Sequence, residues 1–88
     1  MTVYRVEFTT AAAKEVRKLE PQVRRRILAG ISELERDPRP HGVRKLAGYS
    51  DAWRVRVGDY RVLYEISDGR VLVTVVRVAH RREVYGDL

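Results

Sequence analysis

The chain has 88 residues, of which 44% are hydrophobic and 34% are charged, a balance typical of one small soluble domain. It contains no cysteine, which excludes disulfides, thiolate catalysis and cysteine-based zinc sites. No apolar run approaches the roughly 20 residues of a membrane-spanning helix, and the first residues alternate rather than form a signal peptide. We therefore expect a single domain over residues 1–88 that works in the cytoplasm, with no membrane partner.

The chain is strongly basic. Eighteen Lys and Arg against twelve Asp and Glu give a net charge of +6, and fifteen of the eighteen basic residues are Arg. Arginine has a planar, permanently charged fork that suits phosphate and carboxylate. This composition favours a polyanion or an acidic protein as the partner. The alternative explanation for the many arginines is a coding bias that favours arginine over lysine.

The first half of the chain predicts a strand and two helices. Residues 2–8 alternate with Tyr4 and Phe8 on one face, which is typical of a half-buried strand. Thr9 or Thr10 is a plausible N-cap for an alanine-rich helix that runs to about residue 19. A second helix begins near Pro21 and ends before the Pro-containing residues 37–40. Its apolar stripe consists of Val23, Ile27, Ile31 and Leu34.

The second half is β in character. Residues 37–50 are predicted to be a loop, after which three strands follow at 52–57, 60–66 and 71–79, with turns at Gly58-Asp59 and Ser67-Asp68-Gly69. The order β-α-α-β-β-β predicts an α+β fold, with an antiparallel sheet and a helical hairpin packed on one of its faces.

Side-chain alternation predicts a basic surface on the other face of this sheet. If Trp53, Val55 and Val57 are buried, Arg54 and Arg56 must point the opposite way. The same reasoning places Arg61 beside them. The end of the last strand is expected to bring His80, Arg81 and Tyr85 to this surface. A solvated polar face without a function is the alternative.

Such a set suits the cleavage of RNA, because RNA supplies its own nucleophile, the 2′-hydroxyl. The protein then needs cations for the charge that develops on phosphate and a group that donates a proton to the leaving oxygen. We expect no metal and no small-molecule cofactor, since His41 and His80 lie far apart in sequence and no carboxylates have ligand spacing.

Further basic residues are candidates for RNA contact. The run Arg24-Arg25-Arg26 lies on the second helix, where it forms either a solvated face or a contact with RNA phosphate or an acidic partner. The residues expected to contact RNA outside the catalytic set are Arg24, Arg25, Arg26, Lys45 and Arg82.

The segment Trp53-Arg54-Val55-Arg56-Val57-Gly58-Asp59-Tyr60-Arg61-Val62-Leu63-Tyr64 resembles the central signature of the RelE/ParE superfamily of type II toxins. The closing segment Val78-Ala79-His80-Arg81-Arg82-Glu83-Val84-Tyr85 is also similar, as are Arg44-Lys45-Leu46-Ala47-Gly48 and the order of the elements. The resemblance covers nearly the whole chain and implies a RelE-like fold.

The resemblance implies a toxin that is neutralised by a cognate antitoxin, which we expect to be acidic. RelE-type members enter the ribosomal A site and cleave mRNA there without a metal, which inhibits translation. Carried over by motif, the catalytic residues are Arg54, Arg56, Arg61, Arg81 and Tyr85, with His80 as a possible proton-transfer group. Some members have lysine at the first two positions, so the general base is unassigned.

Two other functions remain open at this stage. ParE-type members share the fold but poison DNA gyrase and do not cleave RNA. Retention of Arg61, Arg81 and Tyr85 favours the nuclease. A binding module that has lost its activity is the third possibility.

Overall fold

The computed structural model describes residues 2–46 and 51–83. In chain order these residues form β1 (Arg5–Phe8), α1 (Thr10–Arg17), α2 (Pro21–Glu33), β2 (Arg44–Lys45), β3 (Ala52–Val57), β4 (Tyr60–Ser67), β5 (Leu72–His80) and a short 3₁₀ helix (Arg81–Glu83). The predicted α+β class is confirmed. Neither α-helix is long and apolar enough to cross a membrane within the described ranges.

The strands of the described chain form one sheet in the order β1-β5-β4-β3-β2. The sheet is mixed rather than antiparallel throughout, because β1 pairs with β5 in parallel whereas the other neighbouring strands are antiparallel. The physical reason is the path of the chain. The two helices carry it from β1 at one edge to β2 at the other, and the following strands return by hairpins until β5 meets β1.

β2 lies within residues 37–50, for which the sequence predicts a loop or irregular segment. Arg44 and Lys45 pair with Arg54 and Trp53 of β3, so a short strand extends the sheet at this edge. A strand of two residues has no alternation that a sequence pattern could reveal.

Both helices begin where the sequence predicts. The Thr9 hydroxyl caps α1 by accepting a hydrogen bond from the Ala12 amide at 3.1 Å, which satisfies one of the unpaired donors of the first turn. Pro21 occupies the first turn of α2, where a missing amide hydrogen costs nothing. α1 ends at Arg17, about one half turn earlier than the alanine-rich pattern suggests.

The core lies between the helices and one face of the sheet. The predicted apolar stripe is buried at Ile27, Ile31 and Leu34, which are at most 2% exposed, and it is partly buried at Val23. Gly30 brings α2 close to β3, because a Cβ atom there would lie 2.9 Å from Val57 Cγ2. From the other elements, the buried cluster includes Ala12, Val16, Val62, Tyr64, Ile66, Val73, Val75 and Val78. The helical hairpin therefore covers one face, as predicted, and no α-helix of residues 2–46 and 51–83 covers the other.

Tyr64 joins this core to the segment after α2. Its hydroxyl donates a hydrogen bond of 2.7 Å to the carbonyl of Pro38. Burial raises the pKa of Tyr64 to about 12, so its hydroxyl keeps the proton that it donates. The carbonyl of Pro38 is thereby held against the sheet.

The free end of β5 is held by α1. Beyond the last pair with β1, the Thr9 hydroxyl donates to the Val76 carbonyl at 3.0 Å. The Glu15 carboxylate accepts a hydrogen bond of 2.7 Å from the Val78 amide and one of 2.9 Å from Arg77 Nε. These side chains satisfy backbone groups that a neighbouring strand would otherwise pair. The strand end that carries His80 is fixed in consequence.

Candidate nucleic-acid interface

Three of the predicted arginines lie on the open face, which we define as the face of the sheet opposite the helices. Arg56 of β3 pairs directly with Arg61 of β4, and Arg54 pairs with Leu63. The intervening pair Val55 and Val62 points into the core. The register thus brings Arg54, Arg56 and Arg61 together, as the alternation predicts.

Arg44 joins them from β2 and was not predicted as a site residue. It pairs directly with Arg54, so two cations face each other across an antiparallel strand pair. Burial lowers the pKa of the Arg54 guanidinium, and the positive charges of Arg61 and Arg44 lower it further. We call Arg44, Arg54, Arg56 and Arg61 the arginine cluster.

The turn between β3 and β4 holds one end of this cluster. Gly58 adopts a φ of 59°, a left-handed conformation that glycine accepts without a steric penalty. Its carbonyl accepts a hydrogen bond of 3.1 Å from Arg56 Nε. The Arg56 guanidinium is therefore anchored at the turn.

Arg81 is tied to the same turn by its backbone. The Arg81 amide donates a hydrogen bond of 2.8 Å to the Asp59 carbonyl. Arg81 is exposed and begins the 3₁₀ helix. The backbone of Arg81 therefore lies near Arg56, at the end of the arginine cluster that is closest to this turn. Tyr85 lies outside the described residues.

His80 does not lie on the open face, and the expectation that it converges there is wrong. It pairs directly with Tyr60, whose side chain packs against the core, and the two ring centroids are 5.2 Å apart with planes at 84°. A register shift between Leu63 and Tyr64 alters the pairing of β4 with β5, which the sequence pattern does not reveal. Ala79, not His80, pairs with Arg61.

Lys45 also lies away from the arginine cluster. It pairs with Trp53, and its Nζ is 5.9 Å from the centre of the indole ring. Trp53 packs against the core, as predicted, so Lys45 is on the helix side of the sheet. A cation at this distance from an indole face stabilises packing of the ring.

The basic run of α2 is on the helix side as well. Arg24 donates a hydrogen bond of 3.0 Å from Nη2 to the Leu19 carbonyl and is partly buried, whereas Arg25 and Arg26 are exposed. Arg82 is exposed on the 3₁₀ helix. Arg24 and Lys45 thus lie away from the arginine cluster. Arg26 instead reaches the turn that anchors Arg56, since a Cβ atom at Gly58 would lie 3.8 Å from Arg26 Nη1.

The arginine cluster places like charges in adjacent positions, which costs free energy unless an anion is present. Opposed like charges on paired strands are destabilising, whereas a phosphate group can accept paired hydrogen bonds from each guanidinium. This surface is suited chemically to hold a phosphodiester and to balance additional negative charge on it.

We expect Arg44→Gln to stabilise the fold at low salt. Removal of the charge opposite Arg54 relieves repulsion and should raise the free energy of unfolding by about 0.5 kcal/mol, as measured by urea denaturation. The gain should shrink at about 1 M salt, because the Debye length then falls to about 3 Å. Arg44→Lys keeps the charge and serves as the control. An equal gain in both variants would show that repulsion is not the cause.

Comparison with known proteins identifies similar chains and folds. The chain is 41% identical to toxin RelG of Mycobacterium tuberculosis, over 93% of this chain and 95% of that protein. It is 33% identical to the mRNA interferase toxin RelE of Escherichia coli, over 96% of this chain and 92% of that protein. The structure superimposes with a TM-score of 0.81 on a chain of the archaeal RelE-RelB complex from Pyrococcus horikoshii, at 30% identity, covering 94% of this chain and all of the other.

A family model supports the same relationship. Residues 6–85 match the model that describes the ParE toxin of type II toxin-antitoxin systems. The match spans both predicted signatures and every α-helix and strand described above except the first residue of β1. The chain is therefore a member of the RelE/ParE superfamily of type II toxins.

Proposed function

We propose that this toxin is an endoribonuclease that cleaves mRNA on the ribosome and thereby stops translation. The observation that carries the proposal is the arginine cluster on the open face, where three strands present cations to one surface. The similarity to an mRNA interferase of Escherichia coli, over nearly the full length of both chains, supports it. The requirement for a ribosome and for mRNA in its A site is part of the proposal.

The reaction uses a nucleophile that the RNA supplies. The 2′-oxygen forms a bond to phosphorus and loses its proton, the bond from phosphorus to the 5′-oxygen breaks, and the 5′-oxygen takes up a proton. The products are a 2′,3′-cyclic phosphate and a 5′-hydroxyl. Guanidinium groups of the cluster stabilise the negative charge that grows on the phosphate oxygens. The group that accepts the first proton is unassigned.

Arg61 and Arg56 are suited to hold the scissile phosphate. They pair directly across β3 and β4, and Arg56 is anchored to the turn by its hydrogen bond to the Gly58 carbonyl. A guanidinium presents two parallel N–H donors, so a phosphate between them is oriented as well as neutralised. We propose that Arg54 and Arg81 contribute further positive charge on either side of the Arg56–Arg61 pair.

We expect Arg61→Ala to lower the rate of ribosome-dependent mRNA cleavage by about 10²-fold or more, by analogy with the loss of one oxyanion donor. Stability should change by less than about 1 kcal/mol. Primer extension on programmed ribosomes measures the cleavage. Arg70→Ala is the control, because Arg70 is exposed in the turn at the other end of β4. Loss of folding in Arg61→Ala would instead make Arg61 a structural residue.

The gyrase poison is the second candidate, because the matching family model describes the ParE toxin. The two functions give different products. A nuclease produces cut mRNA when ribosomes are present, whereas a gyrase poison produces DNA breaks trapped on gyrase. Cleaved DNA without cleaved mRNA would replace the first proposal with the second.

We propose that Tyr85 stacks on a base of the bound mRNA. Stacking on an aromatic ring contributes about 1–3 kcal/mol per base. Tyr85→Ala should therefore lower cleavage by about 10- to 100-fold, whereas Tyr85→Phe keeps the ring and should retain activity in the same assay. A large loss in Tyr85→Phe would instead assign the hydroxyl to proton transfer.

The proposed partner is an antitoxin with an acidic, amphipathic segment. RelE proteins of Escherichia coli and of Pyrococcus horikoshii form complexes with RelB. The net charge of +6 on 88 residues favours rapid association with an acidic chain. An antitoxin that covers the arginine cluster would prevent mRNA from binding to it.

Co-expression with the product of the neighbouring gene is expected to yield a stable complex that restores growth of the host. Replacement of the acidic residues of that product by neutral ones should slow association, as measured by surface plasmon resonance at low salt. Recovery of free toxin from a normally growing host would contradict this partner.

A further inference from the structure

His80 ends β5 at the point where the chain turns toward Arg81. Its ring forms a T-shaped contact with the Tyr60 ring at a centroid distance of 5.2 Å. This contact is on the side of the sheet that the helices cover. The arginine cluster is on the opposite side. The imidazole is therefore poorly placed to exchange a proton with RNA bound on the open face.

The imidazole instead binds the backbone of the segment that follows. The Arg82 amide donates a hydrogen bond of 3.1 Å to His80 Nδ1. A ring nitrogen can accept a hydrogen bond only when it carries no proton, so the neutral ring holds its proton on Nε2. The contact with Tyr60 and this hydrogen bond together fix the orientation of the ring.

Arg81 is held between two anchors as a result. Its own amide donates to the Asp59 carbonyl at 2.8 Å, and the next amide along the chain donates to His80. The first amides of a helix have no partner within that helix. His80 thus supplies to the 3₁₀ helix what Thr9 supplies to α1, a side-chain acceptor at its start.

We propose that His80 is a positioning residue for Arg81 and does not itself transfer a proton in the cleavage reaction. The imidazole fixes the turn from β5 into the 3₁₀ helix, and this turn sets the direction in which the Arg81 side chain leaves the sheet. This inference rests on the proposed nuclease function. A displacement of about 1 Å in a group that meets the reacting phosphate can cost about 10²-fold in rate.

Two substitutions separate positioning from proton transfer. His80→Asn keeps an acceptor, since its amide oxygen lies at nearly the same place as Nδ1, but it has no titratable ring. His80→Phe keeps a ring against Tyr60 and has no acceptor. We expect single-turnover cleavage to remain within about three-fold in His80→Asn and to fall about 10- to 100-fold in His80→Phe. Equal losses of that size in both variants would overturn the proposal in favour of proton transfer.

A double-mutant cycle tests whether His80 acts through Arg81. If it does, His80→Phe should cause no further loss of cleavage in an Arg81→Ala background. Losses that multiply would show that His80 contributes independently, and this result would also overturn the proposal.

A third measurement does not depend on activity. The ¹⁵N spectrum of the neutral imidazole in the wild-type protein should show a proton on Nε2 and none on Nδ1. Exchange of the Arg82 amide hydrogen should be slow in the wild type and in His80→Asn, and at least 10-fold faster in His80→Phe. A protonated Nδ1, or fast exchange in the wild type, would refute the contact even if His80→Phe failed to fold. Failure of the nuclease function would appear differently, as a wild-type protein that leaves ribosome-bound mRNA intact.

Discussion

The burial of one face of the sheet under two helices determines where the charges of this protein lie. Val57 packs beneath Gly30 of α2, and Val62 and Tyr64 have no exposed surface. Because side chains alternate along a strand, each buried residue of β3 and β4 forces its neighbour to the other side. The basic neighbours of these buried residues are Arg54, Arg56 and Arg61. Leu63, between Val62 and Tyr64, is an apolar neighbour that is itself buried. The hydrophobic effect thus brings the arginines together on the open face, because it fixes which residues of each strand are buried.

The arrangement of these arginines is electrostatically unfavourable, and the phosphate that we propose to bind there would relieve the repulsion. Arg44 and Arg54 face each other, as do Arg56 and Arg61, and the charges of Arg44 and Arg61 lower the pKa of Arg54. Stability and the proposed phosphate binding therefore oppose each other on the open face.

The parts of the site that could be predicted are those on strands with clear alternation. In β3 and β4 an apolar residue follows each polar one, so the faces of Arg54, Arg56 and Arg61 could be read directly. β5 is apolar on both faces, and the register shift opposite Leu63 and Tyr64 changes its pairing. The face of His80 was therefore predicted wrongly. Arg44 was missed for another reason, because a strand of two residues is recognised only through its partner.

The parallel pair of β1 and β5 has a consequence for the order in which this chain can fold. Arg5 pairs with Leu72, so the first strand finds its place only after nearly all of the described chain is available. The helical hairpin is complete much earlier, yet the sheet that covers its apolar stripe consists mostly of later residues. Contacts of such long range are formed slowly, because closing the intervening chain costs entropy before any contact repays it. A nascent copy of this toxin thus cannot complete its sheet until β5 has been made, because β5 is the strand that joins β1 to β4.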